Sequence, residues 1–434
     1  MIDYPPINSS RMLYSQVTSL LLYQSVFDNP IGQAFLNLLY TLHQDESHSQ
    51  PRQSIAFDCL QAYGNWFKQL AGNGENWGNY LTNQILINEN PFSKLAEKTT
   101  TIEQLTPALL ESVKNDLKIL ENLYNCGPEK IAQWVQIAVQ LPHTPIAWQM
   151  ETPYKTWLAQ SSKWAQHLEQ LAQHYQQKGV GIYAKYQAFR YHQGKLDPVF
   201  QIDPIKLEDL VGYQWQKETL LKNTEFLLAG QRALSILLYG SRGTGKSSLV
   251  KSLIHQYGDR GLRLIEVAKS ELEDLPTILE QLAEKPQKFI IFVDDLSFEE
   301  DTDAFKSLKV VLEGGLVAKP QNVVIYATSN RRHLIKENFA DRPSRASQEE
   351  VHCWDTVEEK LSFSDRFGLT LTFEPADQDN YLAIVNHLAK QSGIDNLDSE
   401  ILEFKALQWA TRHNGRSGRT ARQFIDFLRA ELAI

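Results

Sequence analysis

Cysteine is scarce in this 434-residue chain. Cys59, Cys126 and Cys353 stand far apart and in no metal-ligand pattern. They exclude a disulfide framework or a thiolate metal cluster, and they are expected of a reducing, cytoplasmic setting. Long hydrophobic runs are missing too. Nothing approaches the roughly 18 apolar residues of a membrane span, and the longest runs, such as Phe289 to Val293, are strand-sized. The N-terminal MIDYPPINSSRMLYSQ lacks a basic stretch followed by an apolar one, so no secretory signal is expected. Positive charge is not in excess. With 43 Lys and Arg against 52 Asp and Glu, the formal net charge of −9 gives no support to broad electrostatic binding of nucleic acid. Repeats and long low-complexity tracts are also absent. What remains is an ordinary globular balance, 42% hydrophobic and 22% charged. At roughly 100–200 residues per domain, the length accommodates about two to four domains.

The composition changes near residue 200. Before it, 30 of 200 positions are charged; after it, 65 of 234 are. The first part also carries six of the nine tryptophans. Two folding units are therefore expected, an α-helical N-terminal domain over 1–200 and a second unit after it. Residues 193–204 (QGKLDPVFQIDP) read as the linker, with Gly194, Pro198 and Pro204. In the first unit Ile55, Phe57, Leu60, Tyr63, Phe67 and Leu70 recur at helical spacing. Thr106-Pro107 and Pro128 open further helices. Residues 153–177 read as one longer helix through Trp157, Trp164, Leu168 and Leu171. The Trp and Tyr residues are expected in the core rather than on a ligand-binding face. His143, His167 and His174 are expected at the surface.

The second unit alternates. Strand-like runs at 235–239, 262–267, 289–293, 323–327 and 369–373 are separated by helix-like segments, including 247–257, 275–283 and 304–312. That order implies a parallel sheet covered on both faces, over 201–375. Three helical segments follow, near 377–391, 398–412 and 418–432, and they read as a small helical appendage over 376–434.

The strongest local signal is Gly240-Ser241-Arg242-Gly243-Thr244-Gly245-Lys246-Ser247, between an apolar run and an amphipathic helix. It fits the phosphate-binding pattern of nucleoside triphosphatases. Glycines let the backbone curl so that successive N–H groups face phosphate oxygens. The helix that follows adds its N-terminal dipole, and Ser248 sits in its first turn. Lys246 can reach the β- and γ-phosphates, and the Ser247 hydroxyl can ligate Mg²⁺. A second signal supports the first. The run Phe289 to Val293 ends in Asp294-Asp295, so it delivers carboxylates to the edge of the sheet where open α/β folds bind ligands. Asp294 is expected to hold Mg²⁺, and Asp295, or else Glu299, to activate the attacking water.

The order of these motifs resembles that of AAA+ ATPases. Pro204 to Gly212 (PIKLEDLVG) is similar to the segment that packs on adenine, which implies a base-binding role for Leu210, Val211 and Gly212. Thr328-Ser329-Asn330 resembles sensor 1, with Asn330 on the γ-phosphate or the attacking water. Ser364-Asp365-Arg366-Phe367-Gly368 resembles the arginine-finger segment, which implies that Arg366 acts on a neighbouring subunit. Gly415 to Arg422 (GRSGRTAR) resembles sensor 2, a role that falls to Arg419, with Arg422 as the alternative. YGSRGTGKSSLVKSL, FVDDLSFE, YATSNRRHL, SDRFGL and SGRTARQF together resemble a bacterial family of uncharacterised AAA+ ATPases, the "domain of unknown function 815" family. The bland alternatives are a solvated basic turn at Arg331-Arg332-His333, an intrachain ion pair at Arg366 and a charge-balancing Arg419. Residues 336–357 read as a polar insertion.

The resemblance implies an α/β AAA+ core, a helical lid and an ATP- and Mg²⁺-dependent activity in a homo-oligomer, a ring by analogy. The N-terminal domain is expected to recruit an unidentified protein partner. The rival expectation is an ATP-dependent switch or scaffold with little hydrolysis, favoured by Asp295 where AAA+ proteins commonly carry Glu.

Overall fold

The computed structural model describes residues 6–44, 52–99, 101–151, 155–297, 303–313, 320–330, 363–394, 397–413 and 415–432. The chain forms two compact units, Met1–Lys185 and Tyr186–Ile434.

The first unit is helical. Its main helices are Pro6–Thr18, Pro30–Gln44, Arg52–Asn73, Trp77–Leu86, Pro91–Lys98, Pro107–Tyr124, Pro128–Val139 and Leu168–Lys178. Proline at the first helical position starts several of them, because its missing N–H has no intrahelical acceptor to lose there. Trp66, Trp77 and Trp164 are fully buried. The Trp77 ring packs 4.1 Å from Phe35 and 5.6 Å from Trp66, so the aromatic content is core as expected. The core face of Arg52–Asn73 differs from the expected one. Cys59, Ala62, Tyr63, Trp66 and Leu70 are buried on it, whereas Phe57 and Leu60 are exposed.

The single helix expected over 153–177 is broken. Trp157–Gln160 and Trp164–Gln166 are short turns, and the helix proper begins at Leu168. Lys163 takes a left-handed conformation, and the N–H groups of Lys163 and Trp164 donate to the Glu121 carboxylate. A long-range acceptor thus holds backbone that would otherwise join the helix. His174 is half-buried rather than superficial, and burial pushes its pKa down.

Asp116 joins distant parts of this unit. It is fully buried on the Pro107–Tyr124 helix and accepts the backbone N–H groups of Leu21, Leu22 and Tyr23 at 2.7–3.2 Å. Removing it leaves the buried Tyr23 N–H and the part-buried Leu21 and Leu22 N–H groups without an acceptor, and a buried donor left unsatisfied costs about 1–3 kcal/mol. Asp116→Ala should therefore lower the denaturant midpoint followed by tryptophan fluorescence, by an amount equivalent to roughly 3 kcal/mol. Asp116→Asn, which keeps one acceptor, should lose less. An unchanged midpoint in Asp116→Ala would contradict this role.

The second unit is built on one seven-stranded sheet. Its strands are β1 (Ala188–His192), β2 (Lys195–Pro198), β3 (Ile236–Gly240), β4 (Leu262–Val267), β5 (Lys288–Val293), β6 (Val323–Ser329) and β7 (Leu369–Phe373). They lie in the order β2-β1-β4-β5-β6-β3-β7. All pairs are parallel except β1 with β2. The expected linker is therefore corrected. Residues 188–198 form an antiparallel hairpin turning at Gln193-Gly194, and β1 continues the sheet beside β4. The unit boundary falls at 185, not 200. The hairpin was hidden because Gly and Pro mark its turn and its end as readily as they mark a linker.

One face of the sheet, with Ile236, Leu238, Ile290, Phe292, Val324 and Tyr326, packs with Leu220, Leu227, Leu249, Val250 and Leu253 from the helices Gln214–Leu228 and Lys246–Tyr257. Leu237, Ile265, Ile291 and Ile325, whose side chains alternate with these, are buried as well. Burial on both faces is why residues 236–238, 289–293 and 323–327 read as continuous apolar runs. After β7, the helices Gln378–Gln391, Ser399–Arg412 and Gly418–Leu432 close around their own core of Tyr381, Val385, Leu402, Ala406, Phe424 and Ile425. The second unit is an α/β core of mostly parallel strands with a C-terminal helical lid, and the first is a separate helical unit.

Candidate functional site

The glycine-rich loop expected to bind phosphate forms where β3 ends against β7. A side chain on Gly240 would place its Cβ 1.9 Å from the Phe373 carbonyl oxygen, so only glycine fits. The Ser241 N–H donates to that same oxygen at 3.1 Å. The chain then curls through Gly243 and Gly245, both at positive φ, into the Lys246–Tyr257 helix.

Lys246 is buried beneath this loop. Its ammonium donates to the carbonyls of Gly240 at 2.9 Å and Ser241 at 2.7 Å, and it lies 3.4 Å from Asn330 Oδ1. Burial pushes its pKa down, Asp294 and Asp295 push it up, and Arg419 opposes them. The Ser247 hydroxyl donates to Asp294 Oδ1 at 2.6 Å. Thr328 donates to the same oxygen at 2.5 Å and accepts the Asp295 N–H at 3.0 Å. Asp295 adopts a left-handed conformation, φ 51°, and its carboxylate accepts from Asn330 Nδ2 at 2.6 Å. The parallel register of β5 on β6 opposes Val293 to Ala327, and so brings both strand ends to one place.

The lid completes the enclosure. The Arg419 N–H donates to the Gly243 carbonyl at 3.3 Å, and a Cβ on Gly243 would meet Ser417 and Arg419. Arg419 and Arg422 both face the same cavity of about 560 Å³. Their electrostatic partners differ: Arg419 acts on Lys246, and Arg422 on Asp209. Asp209 has its pKa lowered. Burial raises it, and this is outweighed by hydrogen bonds from the Lys206 N–H and Gln391 and by the charges of Arg422 and His387.

The residues expected from sequence divide into four groups. Leu210, Val211, Arg242, Gly243, Thr244, Gly245, Lys246, Ser247, Ser248, Asp294, Asp295, Asn330, Arg419 and Arg422 line the cavity. Gly240 and Ser241 stand behind it, holding Lys246, and Gly212 lines an adjoining recess with Tyr213 and Asn380. Arg366 is not among the cavity residues. It lies in the turn Phe363–Arg366 before β7, paired with Glu313 at the end of the helix Asp303–Glu313. Glu299, Arg331, Arg332 and the 336–357 segment lie outside the described residues. Sequence reasoning gave no separate role to Thr328 and did not single out Asp209, Tyr213, Lys217 or Phe373, all of which line the cavity. Only pairing of β5 with β6 singles out Thr328, and no local pattern marks the others.

The Ser247–Asp294 pair supplies two oxygen donors, the kind of ligand that Mg²⁺ takes alongside phosphate oxygens. Among the described residues, no cluster of three or more His, Cys, Asp or Glu could hold a metal by itself. No helix among the described residues is long and apolar enough to cross a membrane.

The family model described as "Protein of unknown function (DUF815)" matches residues 184–432. None of the curated proteins compared with the chain matches it. Among solved structures, the Thermotoga maritima RuvB Holliday junction branch migration motor aligns with 13% identity and a TM-score of 0.32, over 52% of this chain and 73% of that one. A variant of the same RuvB aligns over the same shares with 14% identity and a TM-score of 0.33.

Proposed function

The chain belongs to the DUF815 family, and from the chemistry of its cavity we propose that it binds ATP with Mg²⁺ and hydrolyses it. One observation carries the reading. The Lys246 ammonium, the Ser247–Asp294 oxygen pair and the start of the lid helix at Arg419 converge on a single cavity. Its volume lies within the roughly 300–1,000 Å³ usual for small-ligand sites.

The phosphate loop N–H groups and Lys246 would hold the β- and γ-phosphates. Bound between Ser247 and Asp294, Mg²⁺ would neutralise charge that develops on the phosphate oxygens. Asp295 would accept the proton of the attacking water, aimed by its hydrogen bond from Asn330. Arg419 would stabilise the γ-phosphate from the lid, so nucleotide occupancy and lid angle are coupled. Arg366 would serve the site of a neighbouring subunit in a homo-oligomeric ring. Work would be delivered to a macromolecular partner recruited by the N-terminal unit.

The second reading is a nucleotide-controlled switch with little turnover. Its support is Asp295, one methylene shorter than glutamate and held by Asn330. Phosphate release with Mg²⁺ separates the two. The wild type should turn over, Asp295→Asn should trap bound ATP, and Asp294→Asn should retain much of its affinity but lose Mg²⁺-dependent hydrolysis by about 10²-fold or more. A wild type that binds ATP without releasing phosphate, yet gains turnover as Asp295→Glu, would establish the switch. Undiminished hydrolysis in Asp294→Asn would remove the metal assignment.

A further inference from the structure

At the apolar end of the cavity stands a charged group that phosphate chemistry does not use. Lys217, on the Gln214–Leu228 helix, lines the cavity with Leu210, Val211, Phe373, Ile384 and Leu388. It is half-buried, and burial pushes its pKa below the usual lysine range. Its ammonium donates to the backbone carbonyl of Leu210. Among the described residues it forms no ion pair with a carboxylate.

An ammonium has three donors and a carbonyl oxygen two lone pairs. After their mutual bond, both still have capacity facing an apolar slot, where unmet polar groups are costly. Together they present a donor beside an acceptor. The wall behind them is fixed, since the Tyr213 hydroxyl donates to the Glu374 carbonyl and its ring packs 4.9 Å from Phe373. Adenine offers the complement on one edge, where N7 accepts and the adjacent N6 amino group donates. Guanine presents two acceptors there, N7 and O6. Its O6 would face the Leu210 carbonyl with no proton between them.

We propose that Lys217 and the Leu210 carbonyl read the adenine base, Lys217 donating to N7 and the carbonyl accepting from N6, so that Lys217 sets base specificity. This rests on the reading of the cavity as an ATP site.

The test is equilibrium binding by calorimetry of ATP, 7-deaza-ATP and GTP, with Mg²⁺, to the full chain. In 7-deaza-ATP a C–H replaces N7 and everything else is kept. A hydrogen bond from a charged donor is worth about tenfold or more in affinity. The wild type should therefore bind 7-deaza-ATP and GTP each about tenfold or more weakly than ATP. In Lys217→Met, a helix former of similar length, the gap between ATP and 7-deaza-ATP should close. Equal binding of ATP and 7-deaza-ATP by the wild type would overturn the proposal. So would a gap that persists undiminished in Lys217→Met. If that variant does not fold, judged by its thermal melt, the wild-type comparison decides alone. A wild type that binds none of the three would overturn the ATP reading itself, and this inference with it.

Discussion

Lys246→Ala should weaken ATP binding by at least about 10²-fold while leaving the fold intact. The ammonium now rests on the Gly240 and Ser241 carbonyls, at the bottom of the phosphate loop. A phosphate would replace those weak partners with charge-assisted hydrogen bonds worth about 1.5–3 kcal/mol each. Removing the cation also leaves Asp294 and Asp295 facing an incoming polyanion without the charge that now offsets them. The helix behind it keeps its apolar anchors, Leu249, Val250 and Leu253, so thermal unfolding should stay near that of the wild type. Titration with a fluorescent ATP analogue measures the loss. Wild-type affinity in this variant would refute the phosphate-loop assignment, whatever the motif looks like.

Arg366→Ala should bind ATP almost as the wild type does and hydrolyse it on the order of 10³-fold more slowly. The side chain lies in the turn before β7, at the sheet edge opposite the β1–β2 hairpin, and it does not line the proposed ATP cavity of its own chain. Within one chain it is held by Glu313. If it is a finger, it must serve a neighbour, and two inactive variants should then complement each other. Mixing Arg366→Ala with Lys246→Ala should restore part of the activity, because an intact phosphate loop meets an intact finger across some interfaces. Sedimentation with and without a slowly hydrolysed ATP analogue checks the assembly this requires. A strict monomer under both conditions, with full turnover in Arg366→Ala, would reduce Arg366 to a structural ion pair.

Much of the fold was legible because its signals are local. Both-face burial makes β3, β5 and β6 apolar over most of their length, and the lid helices carry helical periodicity that ends where expected, at 391, 412 and 432. The failures share a cause. The 188–198 hairpin contributes few apolar residues, and the break at Lys163 depends on Glu121, 42 positions earlier. The exposure of Phe57 and Leu60 depends on which face of their helix the neighbouring helices cover. None of these can be read from a window of a few residues.

The candidate site divides along the same line. Gly240, Gly243, Gly245, Lys246 and Ser247 do their work within eight consecutive residues, since backbone curvature and the helix start that follows are local consequences of residue type. Sequence alone was therefore enough to mark a glycine-rich loop between a strand and a helix, and the strand that ends in Asp294-Asp295. Three contacts lay beyond it: Thr328 between Asp294 and Asp295, the start of the Arg419 helix on Gly243, and Lys217 beside the Leu210 carbonyl. The first two join segments 33 to 176 residues apart through strand register and lid packing. The third, although only seven residues apart, needs the turn at Tyr213 to fold the lysine back over the carbonyl. Side chains of ordinary type take on a role there only because packing elsewhere holds the backbone that carries them.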